Sequence, residues 1–342
     1  MRPIAAALTV LASPAVAAPN VVTDIAPING IASIVMGDLG TPEVLIPLGA
    51  DAHDYALRPS DAGRLANADL VIWVGEGLTP WLLKSMETLG DDATILELLD
   101  TDGWEKRDIS KSQDDHDDHG DHDDHGDHDD HDEHDDHKDD EDHTDHEGHD
   151  DHKDHDDHKD HDDHEEHDDH AGHDHGDVDP HAWLSPTVAA VWANHIATAL
   201  GETDPENAQT YADNAAAFGL QMDDLMADLS AQMTAYEGKT VIWPHDAYGY
   251  FADAFGIMTA GNIAGINAAD PGPAHIAELR EHMSEDNVGC VLADTEIGPS
   301  WADLVREGTD AKTGMLAPIG DGDYVATIEG LAATIATCLS DA

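Results

Sequence analysis

The sequence predicts an α/β fold of two lobes with mainly parallel sheets, joined by one long rigid helix, with a disordered His/Asp-rich loop inserted in the N-terminal lobe. Three observations carry this expectation. Across residues 20–98 short apolar runs alternate with longer amphipathic ones, the pattern of βαβ units. The same alternation returns after Gly238. Between the two stretches, a single apolar stripe recurs at steps of three and four, the period of one helix face.

In the first lobe, strands are predicted at residues 21–25, 44–48, 70–74 and 94–98, with helices over 27–36, 60–66 and 80–88. Two of these helices open on Pro27 and Pro80, at the first turn, where the missing N–H costs least. In the second lobe, strands are predicted at 240–243, 257–259, 289–292 and 314–318, and helices at 246–255, 273–285, 300–306 and 324–338.

Residues 205–236 read as the linking helix, with Asp204 as its cap and Gly238 as its stop. Its stripe is Tyr211, Ala215, Phe218, Met222, Leu225, Leu229 and Met233. At 1.5 Å per residue such a helix reaches about 48 Å, enough to span both lobes. Two shorter helices broken near Gly219 are the alternative. The layout is therefore an N-terminal lobe over 18–203, the linking helix over 204–237 and a C-terminal lobe over 238–342.

Residues 1–17 have the form of a secretory signal. Met1-Arg2-Pro3 precedes an apolar run that ends in Ala15-Val16-Ala17 ahead of Ala18, a small-residue cleavage site. A membrane anchor needs about 20 apolar residues; this run is shorter and holds Pro14. No Cys follows the cleavage site, so a lipid anchor is unsupported. The expectation is a soluble mature protein beginning near Ala18 in the periplasm of a Gram-negative cell.

Charge narrows the partners. The formal net charge is −61, and residues 114–177 supply about half of it, with 34 acidic residues against three Lys. Such a polyanion is repelled by phosphate backbones and anionic lipids, which excludes nucleic acid and favours cations. Within that stretch stand His116, His119, His122, His125, His128, His131, His134, His137, His143, His146, His149, His152, His155, His158, His161, His164, His167, His170, His173 and His175, mostly as Asp-Asp-His. With almost no apolar side chain the segment cannot offset the entropy of ordering, so it reads as a disordered loop. Neutral imidazole suits Zn²⁺, Cu²⁺ and Ni²⁺, and the carboxylates add charge attraction, so the loop reads as an auxiliary metal collector. Solubility alone would not require an imidazole at every third position.

Cys290 and Cys338 are the two cysteines. An oxidising compartment lets them pair, and an even count in an exported chain favours that reading. Cys290 lies in the apolar run 288–293, where a buried thiol is the alternative.

Three isolated His carry more information. His53 follows the strand predicted at 44–48, and His245 follows the one at 240–243. In open α/β sheets ligands bind beyond the carboxyl ends of strands, and these two lie there in opposite lobes. His181 stands where folded sequence resumes after the acidic loop. Together they can close on one cation between the lobes. His195, His275 and His282 fall within predicted helices and lack such a setting.

The blocks His53-Asp54-Tyr55-Ala56-Leu57-Arg58-Pro59-Ser60, Asp179-Pro180-His181-Ala182-Trp183-Leu184-Ser185-Pro186 and His245-Asp246-Ala247-Tyr248-Gly249-Tyr250-Phe251 resemble those of the ZnuA-type solute-binding proteins of high-affinity zinc ABC importers, within cluster A-I. The resemblance covers nearly the whole chain outside the signal and loop. It implies Zn²⁺ held in the cleft by His53, His181 and His245, and delivery to an inner-membrane ABC permease with its cytoplasmic ATPase. A third His, where manganese-binding relatives place a carboxylate, suits zinc. The fourth position is open: water, a loop His, Asp294 or Glu296, because Ala52 stands where some zinc members have Glu. Cys290 and Cys338 fall where zinc members form a disulfide. Asp54 and Asp246 are candidates to orient the neighbouring imidazoles, or to cap the helices that follow. A periplasmic zinc metallochaperone is a further candidate partner, and a monomer is expected. Two rival readings are a zinc buffer without a transporter and a zinc hydrolase. The second lacks a His-Glu-x-x-His helix and a general base, so no enzyme is expected.

Overall fold

The computed structural model describes residues 18–90, 92–109 and 178–340. The signal segment and the loop histidines from His116 to His175 lie outside the described residues.

Two four-stranded sheets, parallel throughout, organise the chain. The first has strands β1 (Val21–Thr23), β2 (Glu43–Val44), β3 (Leu70–Trp73) and β4 (Thr94–Glu97), in the order β2-β1-β3-β4. The second has β5 (Thr240–His245), β6 (Met258–Ala264), β7 (Cys290–Ala293) and β8 (Lys312–Met315), in the order β6-β5-β7-β8. Central strands of parallel sheets are covered on both faces and read as unbroken apolar runs. Val21, Val22 and all of β3 are buried accordingly. The chain leaves β1 and β5 to one side and returns on the other, so each lobe has a topological switch point where ligands bind.

In the first lobe the sheet is flanked by α1 (Ala26–Met36), α2 (Pro59–Leu65) and α3 (Pro80–Leu89). After residue 177 come α4 (Pro186–Thr203) and α5 (Ala208–Met233). Ser185 caps α4 by accepting a hydrogen bond from the Val188 N–H. The second lobe carries α6 (Gly249–Phe255), α7 (Pro273–Glu285), α8 (Pro299–Val305) and α9 (Tyr324–Ser340). Alternation along β5 splits its core: Val241 and Trp243 join the large apolar cluster with α5 and α9, whereas Ile242 faces a smaller one under α7 and α8. No helix among the described residues is long and apolar enough to cross a membrane.

The linking helix is shorter than its pattern predicts. It starts at Ala208, not Pro205, because residues 204–207 turn the chain back from α4. Asp204 caps nothing at its N-terminus; its carboxylate accepts the Tyr211 hydroxyl at 2.8 Å and the Asn207 amide at 2.7 Å. The helix passes Gly219 unbroken, and its buried residues are the seven of the predicted stripe. It packs on α1 and α4 of one lobe and on α6 and α9 of the other. The apolar cluster is accordingly continuous between lobes, with Phe218 of α5 edge-on to Tyr324 of α9. Trp183 Nε1 donates to the Pro318 carbonyl, and the Tyr324 hydroxyl to the Trp183 carbonyl, which adds a second tie. Cys290 and Cys338 form a disulfide, with Cα atoms 5.8 Å apart, that pins β7 to α9.

Candidate metal centre

His245 is the last residue of β5 and not, as its sequence predicts, in a loop beyond it. Pro244 ends the strand on paper because it has no N–H. It is accommodated because only β6 pairs with the chain there, through His245 and Ala264. His53 lies in the loop after β2, held by its own N–H to Asp51 Oδ1 at 2.8 Å and by the preceding carbonyl of Ala52, which accepts from Trp81 Nε1 at 2.9 Å. His181 stands ahead of a 3₁₀ turn, Ala182–Leu184, and its ring lies 5.2 Å from that of Trp183.

These three converge. Their ring centroids are 5.4 Å apart for His53–His181, 5.4 Å for His181–His245 and 6.4 Å for His53–His245. One nitrogen from each lies within 4.8 Å of the others, the single such group among the described residues. His181 Nε2 is buried without a hydrogen-bond partner, an orphaned lone pair or N–H that an interior does not leave without reason.

Carboxylates hold two rings from behind. His181 Nδ1 lies 2.9 Å from Asp179 Oδ1, which also takes the His181 N–H at 3.0 Å. His245 Nδ1 lies 3.0 Å from Asp294 Oδ2, shared with the Tyr248 hydroxyl at 2.9 Å. The other Asp294 oxygen accepts the N–H groups of Ile297 at 2.7 Å and Glu296 at 3.0 Å. A histidine whose Nδ1 is fixed in this way presents Nε2 as a donor of set orientation. Asp294 is thus spent on both oxygens and supports His245 rather than approaching the centre. The expectation for Asp54 and Asp246 changes likewise. Asp54 is exposed, and Asp246 lies 3.9 Å from Arg107; the carboxylates on the rings are Asp179 and Asp294.

Glu296 is the remaining oxygen donor. Its Oε2 is buried without a hydrogen bond and lies 3.3 Å from His245 Nε2. Burial, moderated by His245 and reinforced by the charges of Asp294 and Asp51, lifts its pKa to about 7. Burial and the other two imidazoles push His53 down to about 3. His181 is lowered too, because burial outweighs its bond to Asp179. For His245 burial also lowers, but the bond and charge of Asp294, with Glu296 and Asp246, overcome it and raise the pKa. The free site therefore offers two neutral imidazoles and one that competes for a proton. His195 and His275 are used elsewhere, against the carbonyls of Asp102 and Asn262.

Asp179 and Tyr248 carry no role in the sequence reading. Asp-x-His spacing, which lets one carboxylate reach both N–H and ring, is a local signal for Asp179. Tyr248 and Asp294, 46 residues apart, have none.

Two parallel α/β lobes spanned by one helix, with strand-end imidazoles meeting between them, define a two-lobed solute-binding protein with a nitrogen-lined cleft. The chain belongs to the ZnuA family: the model for zinc-uptake complex component A, periplasmic, matches residues 21–338. The high-affinity zinc uptake system protein ZnuA of Paracoccus denitrificans is 40% identical over 344 residues, covering 98% of this chain and 97% of the relative. That of Brucella suis biovar 1 is 37% identical over 328 residues, covering 94% and 92%. A crystal structure of ZnuA matches with a TM-score of 0.70 at 19% identity, covering 94% of this chain and 99% of that one, a likeness of fold.

Proposed function

We propose that this chain captures Zn²⁺ in the interlobe cleft, in the periplasm, and hands it to the permease of an ABC importer. The observation that carries the reading is the convergence of His53, His181 and His245, with an orphaned Nε2 on His181 and carboxylates behind two rings. Zn²⁺ favours four ligands in a tetrahedron, and imidazole suits it better than it suits Mg²⁺, Ca²⁺ or Mn²⁺. The membership of the chain in a zinc-uptake family supports the same ion as cargo.

Glu296 supplies the fourth ligand in this reading, since its free oxygen already faces His245 and Asp294 is engaged. Glu296→Gln keeps the size and loses the anion. Zinc affinity by competition with a chelating dye is expected to fall about tenfold; an unchanged affinity assigns the fourth position to water.

The sign of the pH dependence follows from the three rings. Zinc takes unprotonated nitrogen. His53, pushed down to about 3, stays neutral as the solution is acidified toward pH 5, and His181, lowered below the ordinary 6.5, resists the proton more than a free imidazole does. His245, raised above it, takes up the proton first. Glu296, lifted to about 7, takes up a second proton in the same range. Affinity therefore falls with falling pH at a slope that approaches about two decades per unit, one for each competing proton. A slope well above two, measured by titration from pH 7 to 5, would show the rings protonating together and contradict the geometry.

A further inference from the structure

Arg107 reaches the centre from behind. Its Nη1 lies 3.3 Å from Asp179 Oδ2, the oxygen that His181 leaves free, and its carbonyl accepts the Asp179 N–H at 2.8 Å. Asp179 is fully buried, and the arginine side chain is 27% exposed. Across the cleft, the Arg107 N–H donates to the Tyr250 hydroxyl at 2.8 Å. The guanidinium lies 3.9 Å from Asp246 and 3.5 Å from Asp253, both of the other lobe. It rests on Gly249 at the start of α6, where a Cβ would collide with it. One cation thus joins the carboxylate behind His181 to the residue that follows His245.

We propose that Arg107 is a positioning residue for the histidine triad: it fixes Asp179, and through it the ring of His181, while tying that assembly to the opposite lobe. The inference rests on the zinc reading of the triad. A buried carboxylate that loses its cation is an uncompensated charge and does not keep its place. The Nδ1–H of His181 then loses a fixed anionic acceptor, and Nε2 loses its set direction. Loss of such outer partners costs metal sites on the order of 10–100-fold in affinity. A guanidinium can meet Asp179, Asp246 and Asp253 at once because its donors are spread over a planar fork, which an ammonium lacks.

The test uses the full mature chain with Zn²⁺ as the probe. Arg107→Ala is expected to lower zinc affinity by roughly 10–100-fold. Arg107→Lys, which keeps the charge, is expected to fall between. Gly249→Ala leaves every charge in place and displaces the guanidinium; it is expected to weaken binding as well. Gly249→Ala and Arg107→Lys decide the matter if Arg107→Ala does not fold. Folded variants that match wild type in zinc affinity would overturn the proposal and leave Arg107 a tie between lobes only. A wild-type chain that takes up no zinc would overturn the metal reading itself.

Discussion

His181→Ala lowers zinc affinity by more than about a hundredfold, beyond the 10–100-fold that loss of an outer partner costs. The size follows from what the ring does. It stands between the other two, 5.4 Å from each by centroid, and its Nε2 is buried without a hydrogen-bond partner. Removing it leaves two imidazoles 6.4 Å apart and Asp179 buried behind an empty space. No other histidine among the described residues belongs to this group, and His195 and His275 are bound to carbonyls elsewhere. The fold should survive, because an interior site whose polar partner is removed still keeps its helices. Near-ultraviolet circular dichroism with a chelator-competition titration separates the two effects, and wild-type affinity in a folded variant would remove His181 from the centre.

Phe218→Ala destabilises the protein by about 3–5 kcal/mol, the usual cost of emptying a buried aromatic position. Phe218 is 1% exposed at the middle of α5, and its ring lies 5.8 Å from that of Tyr324. The cavity would open where the helix touches both lobes, so the loss bears on their relative placement as well as on stability. Because His53 and His245 come from different lobes, zinc affinity is expected to fall with it. Urea unfolding gives the first quantity and zinc titration the second. A loss below about 1 kcal/mol would mean that the surroundings collapse into the space, and that the helix is not a strut.

Much of this was legible in sequence because it depends on local periodicity. The central strands and the buried stripe of α5 follow from apolar spacing, and strand-end position singled out His53 and His245. The edge strands β2 and β8 overlap the predicted 44–48 and 314–318 by only a residue or two, because half-exposed edges such as those at Glu43 and Lys312 are not apolar runs. What failed did so for physical reasons. The stretch that forms α4 carries no assignment in the sequence reading: its buried residues Val188, Ala189, Trp192, Ala193, Ile196 and Leu200 share one face, but Ala190 and Val191 lie outside it and blur the contrast between the faces. Asp204 reads as a cap because short acidic residues often are, but Tyr211, seven residues later, claims its carboxylate. Neighbours in sequence, Asp54 and Asp246, were candidates to orient the rings. The bonds instead come from Asp179, two residues away, and Asp294, 49 residues from His245, a pairing that arises only when β5 and β7 lie side by side in the sheet.

The central claim is that the centre is built from His53, His181 and His245 and not from the His/Asp-rich segment. Calorimetric titration of a chain lacking residues 114–177 tests it directly. Asp108 and Val178, which flank that region, are bridged side by side, so a short linker can join the chain across it. One zinc ion bound tightly, and lost on His53→Ala in the same background, is the predicted result. A shortened chain that folds and binds no zinc tightly would contradict it.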